Sequence, residues 1–199
     1  MGGTLDTIIV CILRIFVLLY LYQTIYMLVG LFCKPKRFTA KKQHRYGVLI
    51  SARNESAVIA HLIESIRNQN YPSELVDVFV VADNCTDDTA DAARAAGAIV
   101  FERFNQEEKG KGYALNYLLG RIKQQYGPEY YEGFFIFDAD NVLEKDYITQ
   151  MNTVFDNGYA LVTSYRNSKN YSDNWITSGY GLWFLREARY LNNARMILG

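Results

Sequence analysis

Asp138 and Asp140 stand one alanine apart, directly after the apolar run Phe134-Phe135-Ile136-Phe137. That run reads as a short strand buried on both faces, since a sheet covered on both sides needs no alternation. Carboxylates two positions apart on an extended chain point the same way. Strand ends of open α/β sheets are where ligands bind. Two like charges there repel and lose hydration unless a cation joins them. The pattern suits a site for Mg²⁺ or Mn²⁺ bridging a ligand diphosphate. It also suits a bare strand end capped by Asp and Asn141.

Two further strand ends carry polar groups, Arg53-Asn54-Glu55 and Asp83-Asn84. In a parallel sheet all carboxyl ends lie on one edge, which is the anatomy of a nucleotide crevice. Asp83 there either accepts a hydrogen bond from a base ring N–H or simply forms the turn. Lys109-Gly110-Lys111-Gly112, at a predicted helix start, suits a phosphate or a base carbonyl, or a solvated basic turn. It lacks P-loop spacing, and no Gly-x-Gly-x-x-Gly follows the first strand, so neither ATPase nor dinucleotide chemistry is supported. His44 and His61 read as incidental.

The elements that position these groups alternate along the chain. Strands are predicted at 46–52, 76–82, 98–102, 134–138 and 160–165. Between them, apolar positions at helical spacing, such as Val58, Ile59, Leu62, Ile63 and Ile66, predict helices with one face on a sheet. Residues 175–198 are predicted helical and aromatic-rich. The result is a mostly parallel, three-layer α/β fold. Lys+Arg and Asp+Glu both number 21, so the chain carries no nucleic-acid signal. The three cysteines, Cys11, Cys33 and Cys85, form neither a disulfide framework nor a metal pair.

Residues 1–33 are predicted as one transmembrane helix, interrupted by Arg14 and Gln23. About 25 helical residues at about 1.5 Å each cross a bilayer core of about 30 Å. Residues 34–45 are a basic juxtamembrane linker, and the positive-inside rule puts everything beyond them in the cytoplasm. A single N-terminal span in a cell membrane is expected.

Four stretches together resemble glycosyltransferase family 2, in its membrane-bound form. They are Ile50-Ser51-Ala52-Arg53-Asn54-Glu55, Val81-Ala82-Asp83-Asn84-Cys85-Thr86-Asp87, Gly110-Lys111-Gly112-Tyr113-Ala114-Leu115-Asn116 and Asp138-Ala139-Asp140-Asn141. The resemblance implies a Rossmann-like GT-A fold over residues 46–199. It implies inverting transfer of a sugar from a nucleotide diphosphate-sugar, usually a UDP-sugar, to a polysaccharide or lipid-linked acceptor. Ala52 and Glu55 would line the base and ribose pocket, and Asp83 would hold the base. Lys111 would lie against base or diphosphate, with Asn116 supporting its helix. Asp138 would touch the ribose, directly or through the metal, and Asp140 would coordinate Mn²⁺ or Mg²⁺. Lys169 and Trp175 are candidate sugar or acceptor contacts, or parts of a polar surface loop with Trp175 anchoring the next helix.

Ala82 departs from the pattern, where many members carry a second Asp. The family's downstream catalytic carboxylate has no counterpart here, because Glu187 in Arg186-Glu187-Ala188-Arg189 reads as a helix-surface salt bridge. The chain is therefore expected to be the donor-binding part of a longer enzyme, with its base beyond residue 199, binding donor but transferring little. A non-catalytic nucleotide-sugar-binding remnant is the alternative. A sugar-phosphate nucleotidyltransferase fits less well, as no Gly-rich loop follows the first strand.

Overall fold

The structure is a computed structural model and describes residues 2–198. Two compact units are present, one of residues 39–162 and one joining the residues up to Phe38 to those from Thr163 onward.

The first unit is built on a parallel sheet in the order β3-β2-β1-β4, with β1 Tyr46–Ala52, β2 Val76–Asp83, β3 Ile99–Arg103 and β4 Gly133–Asp138. Helices α2 Ile59–Arg67, α3 Thr89–Ala95 and α5 Tyr147–Phe155 belong to one layer, and α4 Lys111–Tyr126 to the other. Alternation on the strands sorts the core into two faces. Val48, Ile50, Val80, Phe135 and Phe137 pack with Leu62, Ile63 and Ile148. Leu49, Phe79 and Val81 pack with Ala114, Leu118 and Ile122 of α4.

Two sequence expectations change here. β4 is not buried on both faces: Phe135 and Phe137 are buried, whereas Ile136 is 54% exposed and Phe134 is exposed. The reason is its place at the sheet's edge, with apolar cover on one side only. The expected strand at 160–165 is irregular and joins no ladder. A strand needs a paired neighbour along its backbone, and no ladder forms here, with Leu161 89% exposed.

At the amino ends of the strands, residues 39–45 are fastened to α5. Asp156 accepts from the Lys41 and Lys42 amides, at 2.6 and 3.4 Å. His44 is not incidental. Its ring bridges Glu132 through Nδ1 and Asp156 through Nε2, both at 2.8 Å. Hydrogen bonds from Lys42 and then His44 lower the Glu132 carboxyl from 4.5 to about 2. A carboxyl depressed on folding adds stability above its unfolded value, lost as pH falls through its folded one. Acid titration followed by circular dichroism should therefore show the wild type losing stability more steeply than Glu132→Gln between pH 4.5 and about 2.

The second unit holds α1 Gly2–Phe32 with α6 Trp175–Arg186, a π-helical turn Glu187–Asn192 and α7 Asn193–Leu198. Asp6–Phe32 is long and apolar enough to cross a membrane. Gln23 is matched within the unit, accepting from Arg186 Nη2 at 2.7 Å. The expected salt bridge around Glu187 is absent among the described residues, because Arg186 turns to Gln23 and Glu187 opens the π turn. Gly30 lies where α1 crosses that turn. A Cβ there would meet the Tyr190 Cα at 2.8 Å, so the close approach needs glycine.

Candidate donor site

The carboxyl ends of β1, β2 and β4 lie side by side: Ala52 pairs with Ala82, and Ser51 with Asp138. Ala52, Glu55, Asp83, Lys111, Asn116, Asp138 and Asp140 all belong to this unit. Lys169 and Trp175 belong to the other. Trp175 opens α6 with its side chain 83% exposed, so it does not anchor that helix by burial. Asn174 holds the helix start instead, through a capping box with Thr177.

The turns after β1 and β2 are locked together. Asn54 and Asn84 both adopt the left-handed region, at φ 55° and 52°, where Asn is among the few tolerated side chains. Asn54 Oδ1 accepts from the Thr86 amide at 2.8 Å. The Glu55 amide donates to Thr89 Oγ1 at 2.8 Å, and that hydroxyl donates to Asp87 at 2.5 Å. The Thr89 hydrogen bond is the main reason the Asp87 carboxyl is lowered to about 2. Asp87 also takes the Thr89 amide at 3.1 Å, serving the start of α3. The Ala52 side chain is buried, so only its backbone faces the turn, with its carbonyl 3.5 Å from Cys85 Sγ.

Asp83 is 5% exposed and forms an ion pair with Arg103 at 2.7 Å. Arg103 escaped the sequence reading. The signal was its position at the end of a strand adjacent to that of Asp83, but only the register reveals the pairing. Gly110 caps α4 at φ 118°, a conformation suited to glycine, and Lys111 follows as the first helical residue. The Lys111 ammonium pairs with Asp138 Oδ1, which joins the third and fourth stretches. Asn116 is exposed on α4 and lines an open pocket of about 460 Å³ with Arg103, Glu108, Tyr113 and Tyr117.

Asp138 and Asp140 both lie on the exposed side, with Ala139 buried between them. Asn141 closes the turn: its amide donates to the Asp138 carbonyl at 3.0 Å, and its side chain accepts from the Asp138 amide at 3.2 Å. Among the described residues no group of three or more His, Cys, Asp or Glu is placed to hold a metal. Two outward carboxylates still fit Mg²⁺ or Mn²⁺. Such hard cations take one or two protein carboxylates and complete their shell with water and phosphate oxygens.

A parallel sheet between helix layers, with acidic and basic groups gathered on one carboxyl edge, is a Rossmann-like α/β architecture, and the family profile and a solved neighbour identify it as the GT-A fold. The mannosyltransferase PcManGT from Pyrobaculum calidifontis, solved with GDP-Man and Mn²⁺, matches 76% of this chain and 41% of its own. Its TM-score is 0.52 and its sequence identity 22%. The sequence profile "Glycosyltransferase like family 2" matches residues 44–197, and the chain belongs to that family. A beta-monoglucosyldiacylglycerol synthase of Nostoc sp. is 26% identical over 183 residues, 84% of this chain. A 4,4'-diaponeurosporenoate glycosyltransferase of Staphylococcus aureus is 41% identical over 70 residues, 35% of this chain and 18% of its own. The chain spans 38% of the length of the Nostoc relative.

Proposed function

We propose that this chain is the donor-binding part of a membrane-anchored, inverting glycosyltransferase that uses a UDP-sugar. The observation that carries the proposal is the shared edge of Asp138, Asp140, Asp83 and Lys111. Asp83 accepts from the base, and Ala52 and Glu55 border the base and ribose. Lys111 neutralises the diphosphate, and Asn116 supports its helix. Asp138 and Asp140 hold Mn²⁺ or Mg²⁺, with Asp138 also close to the ribose. A bound divalent cation would stabilise the negative charge that builds on the leaving nucleoside diphosphate. Lys169 and Trp175 are proposed for the sugar or acceptor side.

The acceptor is a polysaccharide or lipid-linked molecule. The names of the two curated relatives, a diacylglycerol derivative in one and diaponeurosporenoate in the other, favour the lipid. The apolar helix Asp6–Phe32 supports an anchor that keeps the domain beside such an acceptor, on the cytoplasmic face. Calorimetry on the full chain in detergent micelles tests the donor half, with UDP or GDP and Mn²⁺ or EDTA. UDP binding that needs Mn²⁺ is the expected result. A folded sample that binds neither nucleotide with metal overturns the proposal.

A further inference from the structure

Asp83 and Arg103 face each other in the β2–β3 register, and their side chains are 7% and 6% exposed. Removing two ions from water costs several kcal/mol each, and an apolar pair of similar size often gives equal or better stability. The arrangement of donors shows what the pair specifies. Arg103 Nη1 and Asn84 Nδ2 both reach the same Asp83 oxygen, Oδ1, at 2.7 and 3.1 Å. The other oxygen, Oδ2, takes no hydrogen bond among the described residues. No fully buried side-chain nitrogen or oxygen there lacks a partner, so Oδ2 opens to accessible space.

The far side of the guanidinium holds a second segment. Arg103 Nη2 donates to the Glu108 carbonyl at 2.8 Å and reaches its carboxylate at 3.4 Å. Asn84 fastens the same loop. Its amide donates to the Arg103 carbonyl at 2.8 Å, and its Oδ1 accepts from the Asn105 amide at 3.0 Å and from Gln106 Nε2 at 3.2 Å. Residues 104–110 run from this clamp directly to Lys111. One side chain, Arg103, thus grips the Asp83 carboxylate and the loop that delivers Lys111.

We propose that Arg103 is a positioning residue that couples base recognition to diphosphate binding. By occupying Oδ1 it leaves Oδ2 as the single acceptor for a ring N–H. Uracil presents such a donor at N3 and cytosine does not. Through Glu108 the same guanidinium sets where Lys111 meets the diphosphate. The inference rests on the donor-site reading above.

The test is calorimetry on the full chain in detergent with Mn²⁺, titrating UDP, CDP and inorganic diphosphate into wild type and Arg103→Lys, with thermal unfolding as control. Lysine keeps the charge but is a point donor that cannot span both partners. Arg103→Lys is expected to bind UDP about tenfold more weakly, to lose its preference for UDP over CDP, and to weaken diphosphate as well. A folded Arg103→Lys with wild-type affinity and preference, even at a lower melting temperature, makes the pair merely structural and overturns the inference. If that variant does not fold, Asp83→Asn is compared with Asp83→Asn/Arg103→Gln. Weaker diphosphate binding by the double variant supports the coupling, and equal binding overturns it. Wild type that binds none of the three ligands overturns the donor-site reading and this inference with it. Wild type that binds UDP, beside an unchanged Arg103→Lys, overturns the inference alone.

Discussion

Asp140→Asn should weaken Mn²⁺-dependent UDP binding by tenfold or more, about 1.4 kcal/mol, while leaving the melting temperature unchanged. Binding falls because an amide supplies a weaker, uncharged oxygen to a hard dication. Stability holds because Asp140 is exposed, the turn around it is closed by Asn141 and the Asp138 backbone, and an asparagine there keeps an Oδ1 to accept from Asn141 Nδ2, at 3.3 Å in the wild type. Exposed substitutions of this kind stay within about 0.5 kcal/mol. The two readouts separate the two roles open to Asp138-Ala139-Asp140. A site built for a cation predicts lost affinity at constant stability, and the loss should vanish in EDTA, where wild type and variant bind equally weakly. If the acids only terminate β4, UDP affinity stays the same with metal or with EDTA, and the metal assignment fails. Asp138→Asn is the less clean probe, because it also removes the partner of Lys111.

The residues that announce the proposed donor site are local, and so is the signal they leave. Three of the four stretches close a strand whose apolar run is visible in the sequence, the other opens α4, and the parallel order β3-β2-β1-β4 brings the ends of β1, β2 and β4 to one edge. What escaped depends on distance along the chain. Arg103 is an ordinary charged residue at a strand end until the register sets it against Asp83. His44 looked idle because its partners Glu132 and Asp156 lie 88 and 112 residues away. Phe134-Phe135-Ile136-Phe137 reads as doubly buried because all four side chains are apolar. Whether a second face is covered is decided by the neighbours of β4, not by its own composition. Residues 160–165 carry strand propensity, but propensity alone does not bring a segment into register with a sheet edge.

The same long-range logic makes Asn152, a residue with no motif around it, a determinant of stability. Asn152 is 2% exposed on α5 and works as a hub. Its Oδ1 accepts from the Tyr46 hydroxyl at 2.9 Å, the Tyr71 hydroxyl at 3.0 Å and the His44 amide at 3.2 Å, while its Nδ2 donates to the Lys42 carbonyl at 2.8 Å. Burial raises both tyrosine hydroxyls above their ordinary value, Tyr71 to about 12, so they stay protonated donors that need an acceptor. Tyr71 keeps a second one in the His44 carbonyl at 2.8 Å, whereas Tyr46 depends on Asn152. An unsatisfied buried hydroxyl costs about 1–3 kcal/mol, and the segment 39–45 loses two of its ties as well. Asn152→Ala should therefore destabilise the protein by about 2–4 kcal/mol, read as a lowered unfolding midpoint. The cause can be isolated. In a Tyr46→Phe background the orphaned hydroxyl is gone, so Asn152→Ala should cost clearly less there than in the wild type. Equal costs in both backgrounds would place the effect in the loosened segment 39–45 rather than in the buried hydroxyl.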